Sequence, residues 1–260
     1  MDRRHRELAQ NCRSGRPSGD IAAVSGVAQG ILWDEIPSVK ERPWHPLGVS
    51  TSWKDEAKVE EYVERVERMA ARRAGEAELV EVLPARTERV LDLGCGDGRL
   101  LALTLGARPE VVEAIGVDSS PPMLARARAR FASDTRVSIF EHDLSDRLPA
   151  LGVFDVVVSG FAIHHLAHDR KRSLLTEVTK MLRPGGAFAN LEVVECATPE
   201  LHEEFNRRIG RPGGDPEDVL ARVGPQLEWM RDAGLRQVDC QWRWRGFALL
   251  VGQAPTTLPS

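Results

Sequence analysis

The sequence predicts an α/β fold, a doubly wound and mostly parallel sheet with helices on both faces. Between residues 89 and 194, short apolar runs alternate with segments whose apolar residues recur at helical spacing, the pattern of parallel strands joined by crossover helices. The first run, Val90-Leu91-Asp92-Leu93, breaks into Gly94-Cys95-Gly96-Asp97-Gly98 and passes directly into Leu100, Leu101, Leu103 and Leu105. That order is strand, glycine turn, helix. Glycines at alternate positions clear Cβ atoms from the turn, so backbone approaches a ligand closely and takes positive φ without penalty. Near the end of the chain, residues 237–244 and 247–252 are separated only by Arg245-Gly246, the length of a tight antiparallel hairpin.

Composition sets the frame. A chain of 260 residues with 42% hydrophobic residues fills one large core or two small ones. A net charge of -4 gives no global field that draws nucleic acid or an anionic membrane. Cys12, Cys95, Cys196 and Cys240 stand far apart with no CxxC pair. Neither a zinc site nor a disulfide framework is expected, and a reducing, cytoplasmic setting fits. No stretch reaches the apolar length of a membrane span, and residues 1–30 lack the apolar core of a signal peptide.

In chain order, residues 1–30 are rich in Arg, Ser and Gly without periodicity and read as a loose extension. Residues 31–52 hold Trp33, Trp44 and prolines 37, 43 and 46, which disfavours a long helix and predicts an irregular, aromatic segment. Ser52-Trp53-Lys54-Asp55 has the form of a capping box, followed by Val59, Tyr62, Val63, Val66, Met69 and Ala70 at helical spacing. A short second helix carries Leu79, Val80 and Leu83 and stops at Pro84. After the glycine turn and its helix comes a strand over 111–117 ending in Asp118. Ser119-Ser120-Pro121-Pro122 then caps and starts the next helix. Strands over 136–140 and 154–159 follow, then a helix through Leu174, Leu175, Val178, Met181 and Leu182. The turn Arg183-Pro184-Gly185-Gly186 precedes a strand over 187–194. Residues 197–215 read as a lid with a polar helix. Asp215-Pro216 opens a last helical region, broken at Gly224-Pro225 and ended by Gly234.

Asp92, Asp118 and Asp143 fall at or just past the ends of the first three strands. In a parallel sheet those ends share one edge, where ligands bind. An acid after the second strand, some 20 residues beyond the glycines, is placed to accept hydrogen bonds from ribose hydroxyls, so a nucleoside-containing cofactor is expected. The dinucleotide fingerprint fails because Arg99 stands where its third glycine belongs, and no Gly-Lys-Ser/Thr completes a Walker A loop. Asp92 repels a pyrophosphate and suits a cationic amino group.

With these residues in place, the chain over about 53–252 resembles the class I S-adenosylmethionine-dependent methyltransferases. The motif from Asp92 to Gly98 matches the family's first motif, Phe154-Asp155-Val156-Val157-Val158-Ser159 its fourth-strand motif, and Leu182 to Gly186 the turn before its fifth strand. The resemblance implies a seven-stranded sheet ordered 3-2-1-4-5-7-6 with the last strand antiparallel. It implies S-adenosyl-L-methionine as cofactor, with its methionine end on Asp92, Gly94, Cys95 and Gly96, its ribose on Asp118 and its adenine at Asp143 and Leu144. Ser119, Met123 and Ser159 complete the cofactor-binding set. The expected organisation is an extension (1–30), an aromatic segment and helical cap (31–84), a methyltransferase domain (85–254) with the lid at 197–215, and a tail (255–260).

Methyl transfer from a sulfonium is an in-line displacement, helped chiefly by alignment, with a base needed only where the nucleophile must lose a proton. His164 and His165, just past the fourth strand, are the catalytic candidates; His168 lies one helical turn beyond His164, but no metal site is expected. Core packing is the reading for Trp53, Tyr62, Trp242 and Trp244, the last two sharing a strand face opposite Arg243 and Arg245. The chain lacks an Asn/Asp-Pro-Pro-Tyr/Phe motif after the fourth strand, a Pro-Cys nucleophile and a basic stripe. A small-molecule acceptor of an O-, N- or C-methylation is therefore expected, without nucleic-acid or membrane partners. Two alternatives stay open. One is a tRNA-modification-linked enzyme resembling carboxy-S-adenosylmethionine synthase, although neither Arg243 nor Arg245 is matched to that enzyme's carboxylate-binding arginine. The other is a non-catalytic cofactor-binding partner protein.

Overall fold

The computed structural model describes residues 52–256, so the expectations for the extension, the aromatic segment up to residue 51 and the last four residues lie outside the described residues. Seven strands, β1 (Arg89–Leu93), β2 (Glu113–Asp118), β3 (Val137–Glu141), β4 (Phe154–Gly160), β5 (Leu182–Val193), β6 (Arg236–Trp244) and β7 (Phe247–Gln253), form one sheet in the order β3-β2-β1-β4-β5-β7-β6. The first five run parallel, while β7 pairs antiparallel with both β5 and β6. The expected order and the closing hairpin are both present.

Helices α1 (Glu56–Glu67), α2 (Ala70–Glu81), α3 (Arg99–Ala107), α4 (Pro121–Arg130), α5 (His168–Met181), α6 (Pro199–Arg208) and α7 (Val223–Asp232) surround the sheet. The central strands read as continuous apolar runs because both of their faces are covered. Leu91, Val157, Phe188 and Leu250 pack with Leu174 and Val178 of α5 and Met230 of α7. Their neighbours along the strands, Val90, Val156, Val158, Leu191 and Leu249, pack on the other side with Leu79 of α2 and Leu100 and Leu101 of α3. All but Leu100, Leu250 and Met230 have no exposed surface, and each such side chain contributes about 1.5–3 kcal/mol by burial. The central strands β1, β4 and β5 are pinned together at the opposite end from the glycine turn. There the Asp155 carboxylate accepts the Glu88 and Arg89 amides at 2.9 and 2.8 Å and the Arg183 guanidinium at 2.9 Å.

Several boundaries differ from expectation for identifiable reasons. Ser52 does not cap α1: residues 52–54 form a 3-10 turn, and Asp55 is the cap, accepting the Ala57 amide at 3.0 Å. Gly224-Pro225 does not break a helix, because α7 starts at Val223 and first-turn residues need no intrahelical N–H partner. The 183–186 turn lies inside β5 as a bulge opposite Asp155. A Cβ on Gly186 would stand 2.9 Å from the Asp155 carbonyl oxygen. Trp242 and Trp244 pack as expected, Trp242 against α2 and Trp244 against Phe205 of α6 and Phe247 of β7.

Helix α2 is seated on the sheet through Gly75, where an added Cβ would meet Leu191 Cδ1 and the Trp242 ring, each at 2.8 Å. Helix propensity alone says Gly75→Ala stabilises by about 1 kcal/mol. Overpacking against two buried neighbours reverses the sign, and a net loss of about 1–2 kcal/mol is expected, read as a lower urea midpoint at unchanged m-value.

Candidate functional site

The glycine turn is built onto the end of β2. The Gly94 and Cys95 amides both donate to the Val117 carbonyl, at 2.8 and 2.9 Å. The Gly96 amide donates to Asp118 Oδ2 at 2.9 Å, and the Ser120 amide to Asp118 Oδ1 at 2.8 Å. Asp118 thus ties the turn to the start of α4. Burial pushes its carboxyl up, against the hydrogen bonds from Ser120, Gly96 and Ser119. Gly94, at φ +70°, faces the loop after β4, where an added Cβ would stand 2.2 Å from Ala162 Cβ. Only glycine satisfies both the backbone and the space there.

Asp92 is fully buried at the end of β1, and neither of its carboxylate oxygens has a hydrogen-bond partner. Burial first, then the charges of Asp118 and Asp97, push its carboxyl up to about 8. A buried acid without a donor is costly in the protein alone, so Asp92 is a ready receptor for a cationic ligand. The remaining expected cofactor residues divide. Asp143 is half-buried and accepts the Ser145 amide at 2.8 Å, while Leu144 is buried and approaches Gly94. Ser119 is half-buried and Met123 is buried, with its sulfur facing Gly96. Cys95 is buried against Gly116, and burial pushes its thiol up, which makes it an inert wall. Ser159 corrects an expectation: its fully buried hydroxyl is spent on the Leu93 carbonyl at 2.8 Å and is not available to a ligand.

One residue beyond Ala162 the character changes. A cavity of about 460 Å³, counting the solvent at its mouth, is lined by aromatic side chains from four elements, with arginines among them. Trp53 and Tyr62 belong to this wall and not to the core, in contact with each other at 5.0 Å between ring centroids and nearly perpendicular. Phe161 holds a left-handed φ of +58°, its ring 4.9 Å from Phe247 and 4.8 Å below the Arg72 guanidinium. Backbone strain of this kind is maintained only where the surroundings fix it.

His164 and His165 both line this cavity, in a 3-10 turn at Ile163–His165. That turn separates them from His168, whose Nε2 lies 3.1 Å from the Leu220 carbonyl, so His164 and His168 do not form a pair. His164 Nδ1 lies 2.6 Å from Glu192 Oε1, and its Nε2 lies 3.5 Å from Asp218 Oδ1. Burial, then the neighbouring His164, lower the His165 imidazole to about 3. His164 Nε2, His165 Nδ1 and Asp218 Oδ1 lie within 4.8 Å of one another, close enough for a metal ion. Of these atoms, His165 Nδ1 and Asp218 Oδ1 are buried without a hydrogen-bond partner. Lys171, buried in α5, clamps the turn by donating to the carbonyls of His164, Leu166 and Val219.

Glu192, Asp218, Lys171, Arg65, Arg72 and Arg211 were not singled out in the sequence. For Glu192 a signal existed: it is the one acid in the apolar run Ala187-Phe188-Ala189-Asn190-Leu191-Glu192-Val193-Val194, at the carboxyl edge of the sheet. The others are brought together by the fold.

Residues 90–186 match the family described as a methyltransferase domain. An uncharacterised methyltransferase of Mycobacterium tuberculosis is 39% identical over 126 residues, 48% of this chain and 59% of that protein. A carboxy-S-adenosyl-L-methionine synthase of Desulforapulum autotrophicum is 26% identical over 190 residues, 64% of this chain and 74% of that protein. Among solved structures, an O-methyltransferase family protein from Burkholderia thailandensis superposes with a TM-score of 0.57 at 26% identity, over 72% of this chain and 58% of that one. These similarities support a class I S-adenosylmethionine-dependent methyltransferase over residues 90–186, and the chain spans about three-fifths of the length of its mycobacterial relative (59%).

The empty-protein cost of Asp92 has a measurable sign. Its carboxyl ionises near 3.8 when unfolded and near 8 when folded. Between these pH values the folded chain keeps a proton that the unfolded chain has released, so stability falls as pH rises through the window and levels off above it. Asp92→Asn removes this loss. Without cofactor, its melting temperature is expected to exceed the parent's by several degrees at pH 8, at about 2–4 °C per kcal/mol recovered. The difference should vanish near the unfolded value, as read by thermal unfolding at both pH values.

Proposed function

We propose that this protein transfers the methyl group of S-adenosylmethionine to an O, N or C nucleophile of a small molecule held in the aromatic cavity. The observation that carries this reading is the contact of Gly94 with Ala162. One short loop has the cofactor turn on one side and, through Phe161, His164 and His165, the cavity wall on the other. A methyl donor on the turn and an acceptor in the cavity are then neighbours.

The unpartnered carboxylate of Asp92 fits the cationic methionine end of the cofactor, and the Asp118 carboxylate fits the ribose hydroxyls. Asp143 and Leu144 serve the adenine, and Ser119 and Met123 flank it. When bound, the cofactor supplies a methyl group already activated by the sulfonium. The chain's own contribution is alignment and exclusion of water by Trp53, Tyr62 and Phe161. Where the nucleophile carries a proton, His164 is the acceptor. Its Nδ1–H donates to Glu192, which leaves the lone pair on Nε2, and the imidazolium formed lies between Glu192 and Asp218. The imidazole of His165 stays neutral down to low pH and forms part of the wall.

The similarity to the carboxy-S-adenosyl-L-methionine synthase motivates a second reading, in which the cofactor itself is modified. Arg243 and Arg245 do not help it. The Arg243 guanidinium donates to the Arg245 carbonyl at 3.1 Å, Arg245 pairs with Glu204 at 3.3 Å, and neither lines the cavity. A non-catalytic binder is the third reading, and turnover separates it from the other two.

Calorimetric titration with S-adenosylmethionine should show binding by the parent, and Asp118→Ala should weaken it about 10–100-fold, the worth of hydrogen bonds to a charged group. Absence of binding by the parent overturns the reading. Against a panel of small acceptors, homocysteine-coupled turnover should fall about 100-fold in His164→Ala. Glu192→Gln should shift the pH profile of turnover while cofactor affinity stays unchanged. Full activity in His164→Ala removes it as the proton acceptor.

A further inference from the structure

Three guanidinium groups line the aromatic cavity, and the fold compensates two of them. Arg72 donates to Glu76 Oε1 and to the Tyr62 hydroxyl, both at 2.8 Å. Arg211 pairs with Asp215, four residues on. Arg65, on α1, makes no hydrogen bond or ion pair among the described residues, and its Nε is buried without a partner. Its guanidinium lies 5.7 Å from the centroid of the Tyr62 ring. Glu61 and Asp215 attract it from beyond ion-pair distance. Burial and the charge of Arg211 outweigh them and lower its pKa. The acids nearest the histidines do not reach Arg65 as an ion pair: Glu192 meets His164 Nδ1 at 2.6 Å, and Asp218 Oδ1 lies 3.5 Å from His164 Nε2 and 3.4 Å from His165 Nδ1.

A half-buried guanidinium whose Nε is shut off from water without an acceptor costs free energy in the empty protein. The same group gives a strong, directional contact once a carboxylate enters, because its planar fork matches the two oxygens. Arg72 and Arg211 each have a carboxylate partner, so among the described residues Arg65 is the cavity guanidinium that meets a ligand carboxylate without first giving up an ion pair. The rings of Trp53, Tyr62, Phe161 and Phe247 supply a flat, apolar enclosure for the rest of the molecule. We propose that the acceptor is an organic acid with an aromatic or apolar body, its single carboxylate held by Arg65 and its nucleophilic atom turned toward His164. This assignment rests on the reading of the cavity as the acceptor site. Arg65 is a specificity-determining residue for that acceptor, and Arg211 reinforces it from the lid side.

Calorimetric titration of the full chain with phenylacetate, its neutral counterpart phenylacetamide and phenyl phosphate tests this, with and without S-adenosylhomocysteine. The expected result is a preference of at least about tenfold for phenylacetate over the amide. Arg65→Gln should abolish it and Arg65→Lys restore it in part, with cofactor affinity unchanged and a melting temperature no lower than the parent's. The selectivity of the parent stands on its own if the Gln variant fails to fold. Equal binding of acid and amide, binding of neither, or a preference that survives in Arg65→Gln overturns the proposal. Tighter binding of phenyl phosphate overturns the monocarboxylate assignment. Failure of the cofactor to bind is a separate result that strikes the methyltransferase reading, since acid selectivity is read without cofactor as well.

Discussion

The structure depends on the contact between the Gly94 backbone and Ala162, where no side chain on residue 94 fits. Strands β1 and β4 are neighbours in the middle of the sheet, so the loops that leave their carboxyl ends must pass each other. Without a Cβ at residue 94, those loops touch. The first loop then carries the turn tied to Asp118. The second carries Phe161, His164 and His165 into the cavity. Lys171 and Glu192 hold the second loop from below, through its carbonyls and through the His164 ring. The glycine turn and the aromatic cavity are thereby fixed relative to one another by the sheet, which is the precision that the proposed in-line displacement demands.

Around this contact two ionisable groups, the Asp92 carboxyl and the Arg65 guanidinium, lack an ion-pair partner among the described residues. Glu76 receives Arg72 and Arg99, and Glu177 receives Arg170. Asp92 and Arg65 receive no such donor or acceptor among the described residues. Both cost stability in the empty chain, and both are oriented before any ligand arrives. Binding free energy that other proteins expend on ordering a site is then available for holding two reactants, which is the general advantage of preorganisation.

Much of this was legible in the sequence, and the reason is locality. Asp92, Asp118 and Asp143 each end a strand, and parallel strands put their ends on one edge, so the convergence of the acids follows from the alternation of apolar runs alone. The turn residues from Gly94 to Gly98 announce themselves within a few positions. The cavity wall was not legible. Tyr62 and Trp53 have the spacing of core residues, and only the way α1 meets the loop after β4 turns them toward a ligand. Asp218 reaches His164 across more than 50 residues without regular periodicity. Arg65 looks like any arginine on an amphipathic helix until the absence of an acid beside it is seen. Ser159 erred the other way: its position at a strand end matched the family motif, but its hydroxyl satisfies the neighbouring strand.

The two unpartnered groups lie on opposite sides of the β1–β4 contact. Asp92 lies on the cofactor side of the β1–β4 contact, where a cationic ligand is stabilised. Arg65 lies beyond the aromatic wall on the acceptor side. A carboxylate free to move would itself be drawn to a sulfonium and compete as a nucleophile, since opposite charges attract strongly in a site that excludes water. Anchoring that carboxylate on the Arg65 guanidinium removes it from competition and lowers its nucleophilicity through hydrogen bonding. The weaker nucleophile, lying nearer His164, is then the one aligned. In this arrangement, selectivity for the acceptor and selectivity for the atom methylated come from the same uncompensated arginine.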